Sequence, residues 1–230
     1  MIKDSCEVSI RTYYSIQHLS SAILCAKKSS EIETQYSGKF DAVKNIEISS
    51  YVTSSIVSIA SFVEAAINEF YCDVVDRSDR VIYIPEDLRE QLKDIWNNEK
   101  SFNRKPALVK YNRALKVLEA KEFEDNTEII QNIKLLFELR NALVHFKPES
   151  YTMFSSKAPS FDKQNKLSER LYGKFEMSPF FKASGNPFFP SKCLSYGCSS
   201  WGINNALIYV DEFHRKINLK PFYNHVRETY

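Results

Sequence analysis

Between residues 39 and 75 the chain reads as one long helix or two joined ones. Its second half is apolar nearly all round: Ile56, Val57, Ile59, Phe62, Val63, Ile67 and Phe70. A helix with one apolar stripe can lie on a surface, but a helix apolar on every side has to be surrounded. That requirement points to a helical bundle with residues 56–70 in its middle. The run "IVSIASFVEAAI" (56–67) is short and is interrupted by serines and Glu64. It suits a buried helix and not a membrane span. Glycine is scarce, with five in 230 residues, and helix formers run in long stretches, so the expected fold class is all-α.

Residues 5–28 read as a first helix, with Ile16, Leu19, Ile23 and Ala26 on one side. "RSDRVIYIPED" (77–87) is a break, in which Pro85 stops one element and opens the next. Glu86 and Asp87 suit the first turn of a short helix over 86–97. "NEKSFNRKPA" is a loop, and 107–120 follow as a helix with Leu108, Tyr111, Leu115 and Leu118 at helical spacing. "EDNTE" (124–128) is a start signal, with Asn126 or Thr127 as the cap. That helix runs to about Phe146, because Pro148 prevents much continuation. Residues 148–190 hold five prolines and seven phenylalanines. They read as a long irregular segment packed on the bundle, with a short helix near 163–173 and strands as the alternative. From Ser191 the helical pattern returns, with Trp201, Leu207, Val210 and Phe213 in its body. The chain 1–230 is thus read as one domain. Its core is about 39–149 and 190–217, and the insertion is about 150–189.

A net charge of +2 is too small for the whole surface to act on a polyanion, so any such contact has to be local. One local candidate is the stretch 100–121, where Lys100, Arg104, Lys105, Lys110, Arg113, Lys116 and Lys121 face a single acid, Glu119. It is either a solvated helix face or a binding surface. The five cysteines show no disulfide rhythm, and no histidine stands at zinc-site spacing beside Cys193 and Cys198. Reduced, packed thiols and a cytoplasmic protein are expected. "MIKDSCEVSIRTYY" lacks the continuous apolar core of a signal peptide.

One residue breaks the pattern. With Ile133 at zero and about 100° per residue, Leu136, Phe137, Leu143, Val144, Ile129 and Ile130 span an arc from about 280° to 60°. Arg140 falls at about 340°, within that arc, with Asn141 at about 80° and His145 at about 120° on its shoulder. Burying an unpaired guanidinium costs several kcal/mol. Arg140 therefore has either a buried carboxylate or a wet cleft that seeks anions. A carboxylate is available. Ser50, Ser54, Ser58, Ser61, Glu64 and Asn68 form a small and polar stripe on the otherwise apolar 39–75 element. The expectation is that this stripe faces the Arg140 helix and that Glu64 holds the guanidinium, either for a site or only to fix helix register.

The run "RNALVH" (140–145) matches the R-x4-6-H pattern of HEPN domains, in the form with a polar residue directly after the arginine. "SIASFVEAAINEFY" (58–71) resembles the first of the paired core helices in such families. "KYNRALKVLEAKEF" followed by "LLFELRNALVHFKPE" resembles the run into the second. "FPSKCLSYGCSSWGINNALIYVDEF" (189–213) resembles the C-terminal helix of a long-form group. The resemblance implies a HEPN-like bundle and metal-independent RNA cleavage without a cofactor. It implies a second copy of the chain whose Arg and His meet the first across a dimer cleft. It also implies a toxin or antiviral defence role with a cognate antitoxin. His145 would be the general base on a ribose 2′-hydroxyl. Arg140 would stabilise charge on the phosphate, and Asn141 would position it. Glu64 and Asn68 would support the site, with Lys110, Arg113 and Lys147 as RNA contacts. Some relatives bind nucleotides or only dimerise, and that is the alternative.

Overall fold

The computed structural model describes residues 11–36, 38, 41–148, 166–182 and 184–228. All regular structure among them is helical: α1 (Tyr14–Thr34), α2 (Ala42–Val75), α3 (Glu86–Asn98), α4 (Ala107–Val117), α5 (Glu128–Val144), α6 (Lys166–Leu171), α7 (Tyr196–Lys216) and α8 (Asn224–Glu228). Single 3₁₀ turns lie at Asp79–Val81 and Phe102–Arg104, and a π turn at Phe188–Lys192.

Of the stretch 39–75, Ala42–Val75 is one helix, and it is central. Asp41 caps α2, its carboxylate accepting from the N–H groups of Val43 and Lys44 at 2.9 and 3.2 Å. Fourteen of its residues are buried, against α1, α3, α4, α5 and α7. Among the described residues α2 is the one helix long and apolar enough to cross a membrane by length and composition. Its central place in the bundle accounts for the same composition. Ile56, Ile59, Phe62, Val63 and Ile67 are wholly covered, and each such side chain contributes roughly 1.5–3 kcal/mol on burial.

α1 runs antiparallel to α2, since Ser15 meets Glu69 and Ala22 meets Ser55. The Ser55 hydroxyl donates to Ala22 O at 2.9 Å, so a small polar side chain sits in the helix contact without an orphan atom. Tyr13, at the N-cap of α1, makes no side-chain cap bond. The Glu69 carboxylate takes that place, accepting from Ser15 N at 2.8 Å and Ser15 Oγ at 2.5 Å. This moves the helix from the expected 5–28 to 14–34. Residues 1–10 lie outside the described set.

α4 is tied to α2 by two buried phenols. Tyr111 donates to Val63 O at 3.0 Å, and Tyr71 donates to Lys110 O at 3.1 Å. α7 closes the core across α2 and α5. Gly202 is the point of closest approach, where an added Cβ would lie 2.9 Å from Ile56 Cδ1 and 3.3 Å from Leu136 Cδ1. The first part of the insertion, 150–165, lies outside the described residues. Its remainder contains α6 and the π turn and no strand. Phe180, Phe188 and Phe189 are buried against the bundle, as aromatics in an irregular segment must be. α7 begins at Tyr196, five residues after the expected Ser191, with Ser195 Oγ accepting from Cys198 N at 3.1 Å. The four described cysteines are free.

Candidate functional site

α5 places the motif residues, and its buried face differs from the expected arc. Leu135 and Leu139, at about 200° and 240° on the same wheel, are buried together with Asn132, Ile133 and Leu136, while Val144 is exposed. Omitting those two leucines moved the expected centre of the arc towards Arg140. Arg140 in fact stands at the edge of the packed face, with its side chain 24 % exposed.

Its Nη2 pairs with Glu64 Oε1 of α2. The Glu64 side chain is 44 % exposed, so the pair is wet and not a buried one. Phe137, one turn earlier on α5, lies under the guanidinium at 5.7 Å from ring centroid to Cζ. The stripe expected to face α5 is in part solvated. Ser50 and Ser54 are exposed, and Ser58 and Ser61 are half-buried. The stripe is the watered edge of α2, and Glu64 is the residue that bridges it to Arg140.

Asn68, one turn after Glu64, faces a different partner. Its Oδ1 accepts from Lys110 Nζ at 2.7 Å, and the same ammonium donates to Asn103 O at 2.7 Å. Lys110 is only 4 % exposed. Burial pushes its ammonium pKa down, while the charge of Glu64 pushes it back up. The expectation of Lys110 as an RNA contact is therefore corrected. Its position is buried because its Cα lies on the same face of α4 as Tyr111 and Ala107, and its charge is held by two oxygens. Arg113 is exposed and reaches Glu99 at 3.4 Å. Lys147 is exposed beyond the end of α5.

Asn141 is exposed, and its carbonyl accepts from His145 N at 2.9 Å. His145 is the C-cap of α5, with φ −107° and ψ 33°. Its imidazole is exposed. The structure thus brings together Arg140 with Glu64, and Asn68 with Lys110. It leaves Asn141 and His145 open to solvent at the end of the same helix. This arrangement offers a held cation, an amide and an imidazole within the last turn and a half of one helix. Among the described residues no three His, Cys, Asp or Glu side chains converge to hold a metal ion.

A second polar cluster, which the sequence reading missed, lies on the other side of α2. Asp73 is 1 % exposed, with Arg11 Nη2 at 3.1 Å and Arg80 Nη1 at 3.0 Å. The Tyr13 hydroxyl donates to it at 2.8 Å. Arg80 is sandwiched between the rings of Tyr13 and Phe222 at 4.2 and 3.7 Å. The cluster borders a cavity of about 670 Å³ that also meets His214 and Arg215. Its arginines all have carboxylate partners: Asp73 meets Arg11 and Arg80, Arg11 also meets Asp76 at 2.5 Å, and Arg215 is held by Glu212. His214 is buried, its Nδ1 2.8 Å from Val210 O, and burial pushes its pKa down. Nothing in the local sequence marks Asp73, because its partners lie at residues 11, 13 and 80. The chain matches no family model, no curated protein and no solved structure.

Proposed function

We propose that this chain is a metal-independent endoribonuclease of HEPN type, acting as a homodimer in the cytoplasm with a composite site at the α5 ends. His145 removes the proton from a ribose 2′-hydroxyl. That oxygen attacks the adjacent phosphorus, the 5′-oxygen of the next nucleotide leaves and takes a proton from water, the imidazolium returns its proton to solvent, and a 2′,3′-cyclic phosphate remains. Arg140 takes the charge that develops on the non-bridging oxygens, the place where a prepositioned cation contributes most. Asn141 positions the phosphate or the imidazole.

The observation that carries the reading is Arg140. It is a cation at the edge of a packed face, aimed by a carboxylate yet reachable by water, so a phosphate could reach it without unpacking the helices. Glu64 fixes its direction, and an incoming phosphate would compete with Glu64 for it. A toxin or defence role with a cognate antitoxin is part of the same proposal and rests on the motif alone.

The test is incubation of purified protein with mixed cellular RNA in excess EDTA, beside a folded His145→Ala variant. Cleavage by the wild type, with cyclic-phosphate ends and none from the variant, is the expected result. Identical behaviour of both proteins, at concentrations where dimers form, would refute the enzyme. The Glu64–Arg140 pair would then favour a dimerisation or nucleotide-binding module without chemistry.

A further inference from the structure

Resting on the ribonuclease reading, we propose that the turn 101–105, through the exposed cations Arg104 and Lys105, is the ledge along which a single strand of RNA is led to Arg140. The two places are joined by contacts. Arg140 pairs with Glu64. Asn68 stands one turn further along α2, about 6 Å along the axis. Lys110 Nζ donates both to Asn68 and, at 2.7 Å, to Asn103 O inside the turn. The buried ammonium is thus the tie between the site and the ledge, while Arg104 and Lys105, which follow Asn103, face solvent.

The ledge is rigid. Phe102, 2 % exposed, is driven into the core with its ring 5.2 Å from Tyr71 and 6.3 Å from Trp96. Ser101 takes the left-handed conformation at φ +60°, which a non-glycine residue adopts at a cost. Arg104 N bonds Ser101 O at 3.0 Å and Lys105 N bonds Phe102 O at 2.9 Å, and Pro106 then fixes the exit. Cations shown on a pinned turn lose little further freedom on binding.

The ledge also carries free charge. Lys100, Arg104 and Lys105 are exposed and have no ion-pair partner among the described residues. The acid beside them, Glu99, is engaged by Arg113. Such cations bind phosphates with release of counterions. Phe102 is turned inward and offers no face for stacking, so the ledge tracks the backbone with little base preference.

The experiment uses a fluorescein-labelled strand of about 20 nucleotides, 2′-O-methylated throughout so that it binds but cannot be cut. Anisotropy is measured over a range of KCl. Arg104→Ala/Lys105→Ala is expected to weaken binding about tenfold near 0.1 M salt and to lower the salt slope by about 1.4, two contacts at about 0.7 each. Lys27→Ala/Lys28→Ala on α1 serves as control and should change neither quantity. An unchanged affinity and slope, an equal loss in the control, or absence of wild-type binding would overturn the ledge. Tighter binding of the blocked duplex would overturn the single-strand assignment. Wild-type protein that binds the blocked strand through the ledge but never cuts the unblocked one refutes the ribonuclease reading and supports the ledge.

Discussion

Replacing Arg140 by methionine separates a structural from a chemical role. The side chains of Arg140 and Glu64 are 24 % and 44 % exposed. Ion pairs this wet contribute about 0–1 kcal/mol. The contact with the Phe137 ring at 5.7 Å adds about 0.5–1 kcal/mol at most. Methionine keeps the stem and covers the same apolar edge, which offsets part of that loss. The expected net destabilisation is within about 1 kcal/mol. Breaking a buried pair would instead cost about 3–5 kcal/mol. Urea unfolding followed by circular dichroism measures the difference, provided the m-value is unchanged. On the same protein, single-turnover RNA cleavage should fall about a hundredfold to a thousandfold, the usual effect of removing one charge-stabilising donor. A loss of 3 kcal/mol or more would show that the guanidinium holds the helices together. The Glu64–Arg140 pair would then behave as a buried one despite its exposure.

Three further expectations rest on other parts of the molecule. Asp73→Ala leaves Arg80 without its carboxylate, and about 3 kcal/mol should be lost, the low end for a buried pair because both arginines reach water. Most of that should be recovered in the cycle with Arg80→Leu, and simple additivity of the two variants would rule out the coupling. Burial pushes the Glu33 carboxyl from 4.5 up to about 7, against the lowering effect of the Tyr196 N–H that it accepts at 2.9 Å. The folded chain therefore holds that proton more tightly than the unfolded chain. Its contribution to stability is full below about pH 4.5, falls as pH rises, and becomes a constant penalty above about pH 7. Glu33→Gln should thus match the wild type in urea midpoint near pH 4.5 and exceed it by about 1–2 kcal/mol at pH 8, a figure discounted for the group's partial solvation. A variant weaker than wild type at pH 8 would show that the α7 end prefers the anion. Gly197→Ala would put a Cβ 2.9 Å from Glu176 O, a backbone atom that cannot turn aside. A loss of about 1–3 kcal/mol is expected, more than at Gly202, where the atoms met are side-chain ends, and an unchanged melting temperature would contradict it.

The elements that announce themselves in the sequence are those whose signals are local. The apolar run of 56–70 marks α2, which starts at Ala42, three residues after the expected 39. Pro85 and Pro106 place the starts of α3 and α4. Where the signal lies elsewhere in the chain, the reading fails. α1 starts where Glu69 can cap it, 54 residues away. It runs on through "KKSSEIET" because Ser29 is buried and donates to Ala26 O, although a serine pair reads as a terminus. α4 stops at Val117 and not at 120 because Glu119 takes φ +53° and Ala120 N returns to Leu115 O. This is the closing turn that glycine usually signals. At the site, Arg140 was legible as a charge within the expected apolar arc and Glu64 as the acid of the polar stripe on α2. The burial of Lys110 was not, since its two acceptors, Asn68 and Asn103, lie on other elements.

The borrowed cap of α1 bears on how the chain can be made. As synthesis proceeds from the N-terminus, residues 14–34 leave the ribosome before Glu69 exists. Until it does, the first-turn amides of α1 lack the carboxylate that satisfies them, and Leu19, Ala22 and Ala26 lack the surface they cover in the finished protein. An isolated helix of 21 residues with many serines is marginal in water. Translation therefore releases an open segment first and its clamp later, and the amphipathic stretch has to be sheltered or tolerated for the time it takes to add some fifty residues, about 3–10 s at cellular elongation rates. Slowing elongation between residues 35 and 69 would lengthen that interval. A truncation before Glu69 would make it permanent, leaving a nascent chain that presents an apolar helix face to holdase chaperones.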